Sequence, residues 1–219
     1  MRELAPDLYL LRGFPPGAIN VYLMGDVLVD AATRHARRRI MRQIAGRRVT
    51  THALTHCHPD HQGASHAICE RLGLPLWCGE ADVHAMETRD FGQQKHPINR
   101  ILERLWAGPP HPVSRALCEG DEVAGFQVLD VPGHSPGHVA YWREADRVLV
   151  LGDVLNNLDV RTGRRGLNEP QVIFTTDPAR NRESIRRVAA LRPALACFGH
   201  GPPLRDPDQL ARFADGLPA

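Results

Sequence analysis

Four side chains able to grip a cation fall within six positions of the stretch "THCHPDH": His56, His58, Asp60 and His61. They follow directly on the β-like run "VTTHAL" (49–54). Side chains alternate across an extended segment, so His56 and His58, at i and i+2, face the same way and can hold one ion between them. Asp60 and His61 come where the chain turns toward the next helix, so they can face a neighbouring position and serve a second ion. Cys57, the odd member of the alternation, points away. Packing alone gives no reason to crowd imidazoles at a strand end.

Three more strand ends carry polar groups. "VPGHSPGH" sets His134 between two Pro-Gly pairs and ends on His138, "VLGD" closes on Asp153, and "CFGHG" holds His200 between glycines. Singly, each has a plain structural reading, a solvated histidine or a Gly-Asp turn. Jointly, they place polar groups at the carboxyl ends of several strands, beside small residues that leave backbone room for ions and substrate. Neutral imidazoles and carboxylates without a thiolate suit zinc, iron or manganese.

The elements that must position these groups are legible from periodicity and turn residues. Strands are expected over 7–13, 18–25 and 26–32 as an antiparallel meander, then over 49–54, 74–79, 113–118, 122–131, 138–143, 147–153 and 194–200. Helices are expected over 33–45, where Ala36, Ile40 and Ile44 recur at helical spacing, and over 62–72. A third runs from the Asp177 cap and Pro178 to about Leu191, and a short one closes the chain. Residues 80–112 read as an insertion holding two helices, and 154–176 as a loop. Strands in two blocks, each followed by helices, indicate two sheets packed face to face with helices outside, built as one domain over 1–219.

Composition narrows the partners. With a net charge of +2 over 219 residues, the chain has no global field suited to nucleic acid. Its seven arginines between 34 and 48 fall around an apolar helical stripe and read as a solvated face. No apolar run reaches membrane-spanning length and no leader pattern opens the chain, so a cytoplasmic protein with no membrane partner is expected. Five cysteines without C-x-x-C spacing read as reduced, mostly buried thiols. A small-molecule substrate fits best, with a homodimer left open. Arg161, Arg164 and Arg165 are placed to meet an anionic substrate, or else form a surface loop. Tyr141 and Trp142 read as strand core.

The order H-x-H-x-D-H, Pro-Gly-His, Gly-Asp and Gly-His-Gly, with the opening "INVYLMGDVLVDA", resembles the metallo-β-lactamase-fold hydrolase superfamily across nearly the whole chain. The resemblance implies a four-layer αββα sandwich with a metal site on one edge. It also implies that His56, His58 and His134 bind one metal, that Asp60, His61 and His200 bind a second, and that Asp153 bridges them. Asp30 would support the site from behind, and His138 would not be a ligand. Two divalent ions, zinc first and iron or manganese next, would hold a hydroxide nucleophile, with Asp60 and Asp153 in catalytic roles.

The expected activity is binuclear hydrolysis of an ester, thioester or lactone. Hydroxyacylglutathione hydrolases of the family share this ligand pattern but carry a C-terminal helical extension, whereas 19 residues follow His200 here. The family's β-lactamases lack the bridging aspartate, and its nucleases add domains. The rival reading is a mononuclear iron-dependent persulfide dioxygenase using His56, His58 and His134. A non-catalytic binding protein is the third.

Overall fold

The computed structural model of the chain describes residues 1–92 and 96–218. A seven-stranded sheet runs in sequence order: β1 (Arg2–Ala5), β2 (Leu8–Leu10), β3 (Tyr22–Met24), β4 (Val27–Val29), β5 (Thr51–Ala53), β6 (Leu76–Gly79) and β7 (Arg115–Leu117). The first four strands form an antiparallel meander, and β4 to β7 are parallel. The second sheet is an antiparallel run of β8 (Glu122–Val123), β9 (Phe126–Asp130), β10 (Val139–Arg143) and β11 (Val148–Gly152). A two-stranded ribbon follows, β12 (Asn156–Leu158) with β13 (Arg165–Asn168), and β14 (Leu195–Phe198) then joins the second sheet parallel to β11.

Alternation along the strands builds the layers. Tyr22, Met24, Val27 and Val29 of the first sheet meet Phe126, Val128, Tyr141, Val148 and Val150 of the second, giving a dry core between the sheets. The opposite face of the first sheet carries Leu23, Leu28 and Leu76 against α1 (Arg37–Ile44) and α3 (Ser65–Leu72). On the outer face of the second sheet, Leu149, Leu151 and Phe198 pack on α6 (Pro178–Ala190) and α7 (Pro207–Asp215). The result is the expected αββα sandwich. Ile40 and Ile44 of α1 are buried while its Arg37, Arg38 and Arg42 are exposed; a fully buried isoleucine stabilises by roughly 1.5–3 kcal/mol. The expected cap of α6 is present, with the Asp177 side chain accepting from Arg180 N at 3.0 Å and Pro178 in the first turn.

Several boundaries differ from the sequence reading. Strand β1 is additional. The segment 122–131 is a tight hairpin whose Ala124 and Gly125 both have positive φ, 53° and 77°. The helix expected from residue 62 begins earlier, as the single turn α2 (Pro59–Gln62), and is interrupted before α3. Gly63 marks that interruption because a Cβ there would strike the backbone of Arg34 and Trp106. The 80–112 segment contains two helices, α4 (Val83–Thr88) and α5 (Pro97–Trp106), while its residues 93–95, including the chain's sole lysine Lys95, lie outside the described residues. The 154–176 loop contains the β12–β13 ribbon. Among the described residues, no helix is long and apolar enough to cross a membrane. All five cysteines are free and only Cys118 is exposed.

Candidate metal centre

The polar strand ends converge. His56 and His58 lie on the extended segment leaving β5, and Asp60 and His61 on α2, rather than in a turn before a helix. His134 comes from the loop between β9 and β10, Asp153 follows β11, and His200 follows β14. Because β11 and β14 are parallel neighbours, their carboxyl ends reach one rim together. Donor atoms of His56, His58 and His134 lie within 4.8 Å of one another, as do those of Asp60, His61 and His200, and those of His56, His61 and Asp153. All are buried except Asp60, which is half-buried.

Asp153 stands between the two triads. Its Oδ2 is 3.0 Å from His200 Nε2 and 3.7 Å from His134 Nε2, and its Oδ1 is 3.5 Å from His61 Nε2. Asp60 Oδ2 lies 3.3 Å from His200 Nε2. Gly199 makes this approach feasible, since a Cβ there would collide with Asp153 Oδ1 and with the His61 ring.

The outer partners fix the imidazole tautomers. Thr55 donates its N–H and hydroxyl to Asp30 at 2.8 and 2.9 Å, so the Thr55 oxygen is left to accept from His56 Nδ1 at 3.1 Å. Asp30 also accepts from His61 Nδ1 at 2.9 Å. The Thr175 hydroxyl donates to Gln171 O and accepts from His134 Nδ1 at 3.2 Å, and His200 Nδ1 donates to Ala18 O. In their neutral forms these four imidazoles thus carry their hydrogen on the outer nitrogen, which leaves the Nε2 lone pair facing inward. His58 is the exception: its Nδ1 faces His134 Nε2 at 2.9 Å.

This donor set fits a pair of divalent cations. Buried Nε2 atoms of His56, His58 and His61 have no hydrogen-bond partner among the described residues, which is costly unless something electrophilic occupies the space. Burial, then neighbouring imidazoles, hold His56 and His134 well below the usual histidine range, and burial brings His58 down to about 4. These three imidazoles are neutral and ligand-competent at neutral pH. Burial also opposes charge on His61 and His200, but carboxylates outweigh it: Asp153 and Asp30 raise His61 well above its usual value, and Asp153 and Asp60 push His200 up to about 10. The same contacts overcome burial at Asp153 and hold it well below the carboxylate range.

His138 is close but differently employed. Its Nε2 accepts the Asp153 backbone N–H at 3.3 Å, and it joins none of the metal-competent groups among the described residues. Cys57 turns into the core as expected, and Tyr141 and Trp142 are buried strand residues. Arg161, Arg164 and Arg165 are exposed at the tip of the β12–β13 ribbon, and no ion pair ties them to the cluster among the described residues.

Sequence reasoning did not find Asp82. This buried carboxylate accepts from Cys57 N at 2.9 Å, Ser135 Oγ at 2.8 Å and Gly137 N at 2.7 Å, tying the His56–His58 segment to the His134 loop. The sequence signal was weak, since Asp82 stands three residues past the Gly79 strand end and behind Glu80, whereas Asp153 follows Gly152 directly. Also unforeseen were Thr55, Thr175, and the pair Asn20 and Tyr22, which donate to Phe198 O at 2.9 and 2.7 Å and hold the His200 turn.

A sandwich of this topology with an imidazole and carboxylate cluster on one edge defines a class of metal-binding hydrolase-like proteins. The family model for the metallo-beta-lactamase superfamily matches residues 14–200, and the chain belongs to that superfamily. It is 28% identical over 148 residues to the probable metallo-hydrolase YybB of Bacillus subtilis, covering 68% of this chain and 62% of that protein. It is 31% identical over 160 residues to a hydroxyacylglutathione hydrolase of Fuscovulum blasticum, covering 71% of this chain and 49% of that one. The chain therefore spans roughly half to two thirds of the length of these curated relatives. Among solved structures, TTHA1623 in a di-iron-bound form superposes with a TM-score of 0.67 at 30% identity, covering 95% of both chains. The metallo-beta-lactamase family protein TTHA1429 of Thermus thermophilus superposes with 0.71 at 29% identity, covering 96% of this chain and 79% of that one.

Proposed function

We propose that this metal-dependent hydrolase-like chain is a binuclear enzyme hydrolysing an ester, thioester or lactone of a small-molecule substrate. One observation carries the reading: the Asp153 carboxylate reaches imidazoles of both triads, at 3.0, 3.5 and 3.7 Å. His56, His58 and His134 would hold one ion, Asp60, His61 and His200 the other, and Asp153 would touch both. When bound, two divalent ions supply Lewis acidity and lower the pKa of water from about 15.7 to about 7.

The protein's own groups do the rest. Asp30 and the hydroxyls of Thr55 and Thr175 hold imidazole tautomers with their lone pairs inward. Asp60, the most exposed of the seven, is placed to accept and orient a water proton. Arg161, Arg164 and Arg165 would meet anionic groups of a substrate. Zinc is the first candidate metal, and the di-iron form of TTHA1623 supports iron as the second. Relatives named hydroxyacylglutathione hydrolase support acyl-bond hydrolysis. A cytoplasmic enzyme free of nucleic-acid and membrane partners is part of the same proposal.

The test combines metal analysis of the purified protein with a panel of thioesters, lactones, phosphodiesters and β-lactams under oxygen-uptake monitoring. Two metals held by the strand-end residues, and acyl-bond hydrolysis without oxygen consumption, are expected. Turnover with stoichiometric oxygen uptake would overturn the reading in favour of a dioxygenase.

A further inference from the structure

A second cluster of ligand-type side chains lies away from the strand ends. His66 and Glu70 sit one helical turn apart on α3, so both project from the same face. His111, from the segment between α5 and β7, meets them there. His66 Nδ1 and His111 Nδ1 are 3.2 Å apart, Glu70 Oε1 is 3.8 Å from His111 Nδ1, and all three donor atoms lie within 4.8 Å of one another. The two rings meet nearly edge to face, at 79° and 5.3 Å.

These separations have a metric meaning. Ligand atoms about 2.0–2.1 Å from a tetrahedral zinc are about 3.3 Å from each other, close to the His66–His111 spacing and reached by a small rotation of the exposed Glu70 side chain. His111 is the buried member, and its backbone N–H is held by Met86 O at 3.2 Å, so its backbone is anchored. Burial and the neighbouring His66 lower its pKa, which leaves it neutral and ligand-competent at neutral pH. His66 is half-buried and Glu70 closes the cluster from the solvent side.

We propose that His66, Glu70 and His111 form a further divalent-metal site, separate from the strand-end centre and of the zinc-binding class, with two imidazoles, one carboxylate and a fourth position open to water. Its ion bridges α3 to the end of the 80–112 segment. Since α3 follows α2, which carries Asp60 and His61, after the Gly63 break, the bridge ties the 80–112 segment to the helix just behind the principal cluster. This role is structural: occupancy fastens a long excursion of the chain to the sandwich.

The experiment uses the full chain, stripped with chelator and titrated with zinc alone, in wild type and in His66→Gln, Glu70→Gln and His111→Ala. The expected result is the loss of one zinc equivalent per chain in His66→Gln and His111→Ala, and a weakened equivalent in Glu70→Gln. The zinc held by the principal cluster and the activity of the loaded enzyme should be retained. His66→Gln, at a half-buried helical position, keeps the test valid if His111→Ala folds poorly. A second readout is the zinc-dependent rise in melting temperature, of which His66→Gln should lose the part that accompanies this equivalent. Identical zinc uptake and identical thermal shift in wild type and His66→Gln would overturn the proposal and leave a simple His–His hydrogen bond.

Discussion

At the scale of single residues, the two triads differ in their protons. The imidazoles of His56, His58 and His134 are already neutral, whereas His200 and His61 are held protonated by Asp153, Asp60 and Asp30 in the metal-free protein. A protonated imidazole cannot ligate, so filling the second triad must release protons, and its affinity should rise with pH until His200 deprotonates at about 10. The sign for the fold is opposite. His200 has a folded pKa above its unfolded value of about 6.5, so its pairing stabilises the metal-free protein fully below that value and the contribution is lost as pH rises through about 10. Calorimetric titration near neutral pH in buffers of different ionisation enthalpy should therefore detect proton release from the second triad and none from the first. Equal proton release from both would contradict this assignment.

Substitutions at the same scale separate ligands from neighbours. His134→Ala should lose metal from the first triad and His200→Ala from the second, while His138→Ala should keep metal content near wild type, because its Nε2 already accepts the Asp153 N–H. Asp153→Asn should depress kcat by more than the roughly 10–100-fold typical of an outer partner, as it touches both triads. Variants at Arg161, Arg164 or Arg165 should mainly raise KM. Steady-state kinetics with metal analysis on each variant checks the set.

At the scale of elements, the strand carboxyl ends were legible because metal-ligand chemistry needs particular residue types at particular spacings. His56, His58, His134, Asp153 and His200 stand out from their surroundings for that reason. The supports were not legible, because their signal lies in contacts between segments far apart in sequence. Asp82 looks like an ordinary helix-start acid until Cys57, Ser135 and Gly137 are seen to donate to it. Thr55 and Thr175 are common residues whose role depends on which oxygen their hydroxyl chooses. Likewise α2 was missed as a helix because it is one turn long, and the β12–β13 ribbon because residues 154–176 lack alternation. Asp82→Ala should cost about 3 kcal/mol or more by stranding buried donors, and should weaken metal binding at the first triad. Thermal denaturation with and without metal measures both effects. Gly199→Ala should abolish metal binding at the Asp153 side of the centre, since its Cβ would occupy the carboxylate's place.

At the scale of the whole molecule, the centre draws on four strand ends from both sheets, so an ion there binds the folded chain and not the unfolded one. Metal at about 100 times its dissociation constant adds about 2.7 kcal/mol, or roughly 5–10 °C for a chain of this size. Chelation should lower the melting temperature by that order, and His138→Ala should retain the metal-dependent part of the shift.

Among the bonds that cross between the sheets beside the centre are three: Val139 N to Thr55 O at 2.9 Å, Tyr141 Oη to Leu54 O at 2.7 Å, and Tyr22 Oη to Phe198 O at 2.7 Å. They act as rivets, and a sliver of shear between the two sheets would break all three and pull apart the triads they flank. The chassis that carries the chemistry is therefore closed to adjustment. Any tuning toward a new substrate has to be written into the excursions that bypass these rivets, the 80–112 helices and the ribbon tip, while the sandwich beneath keeps its registry.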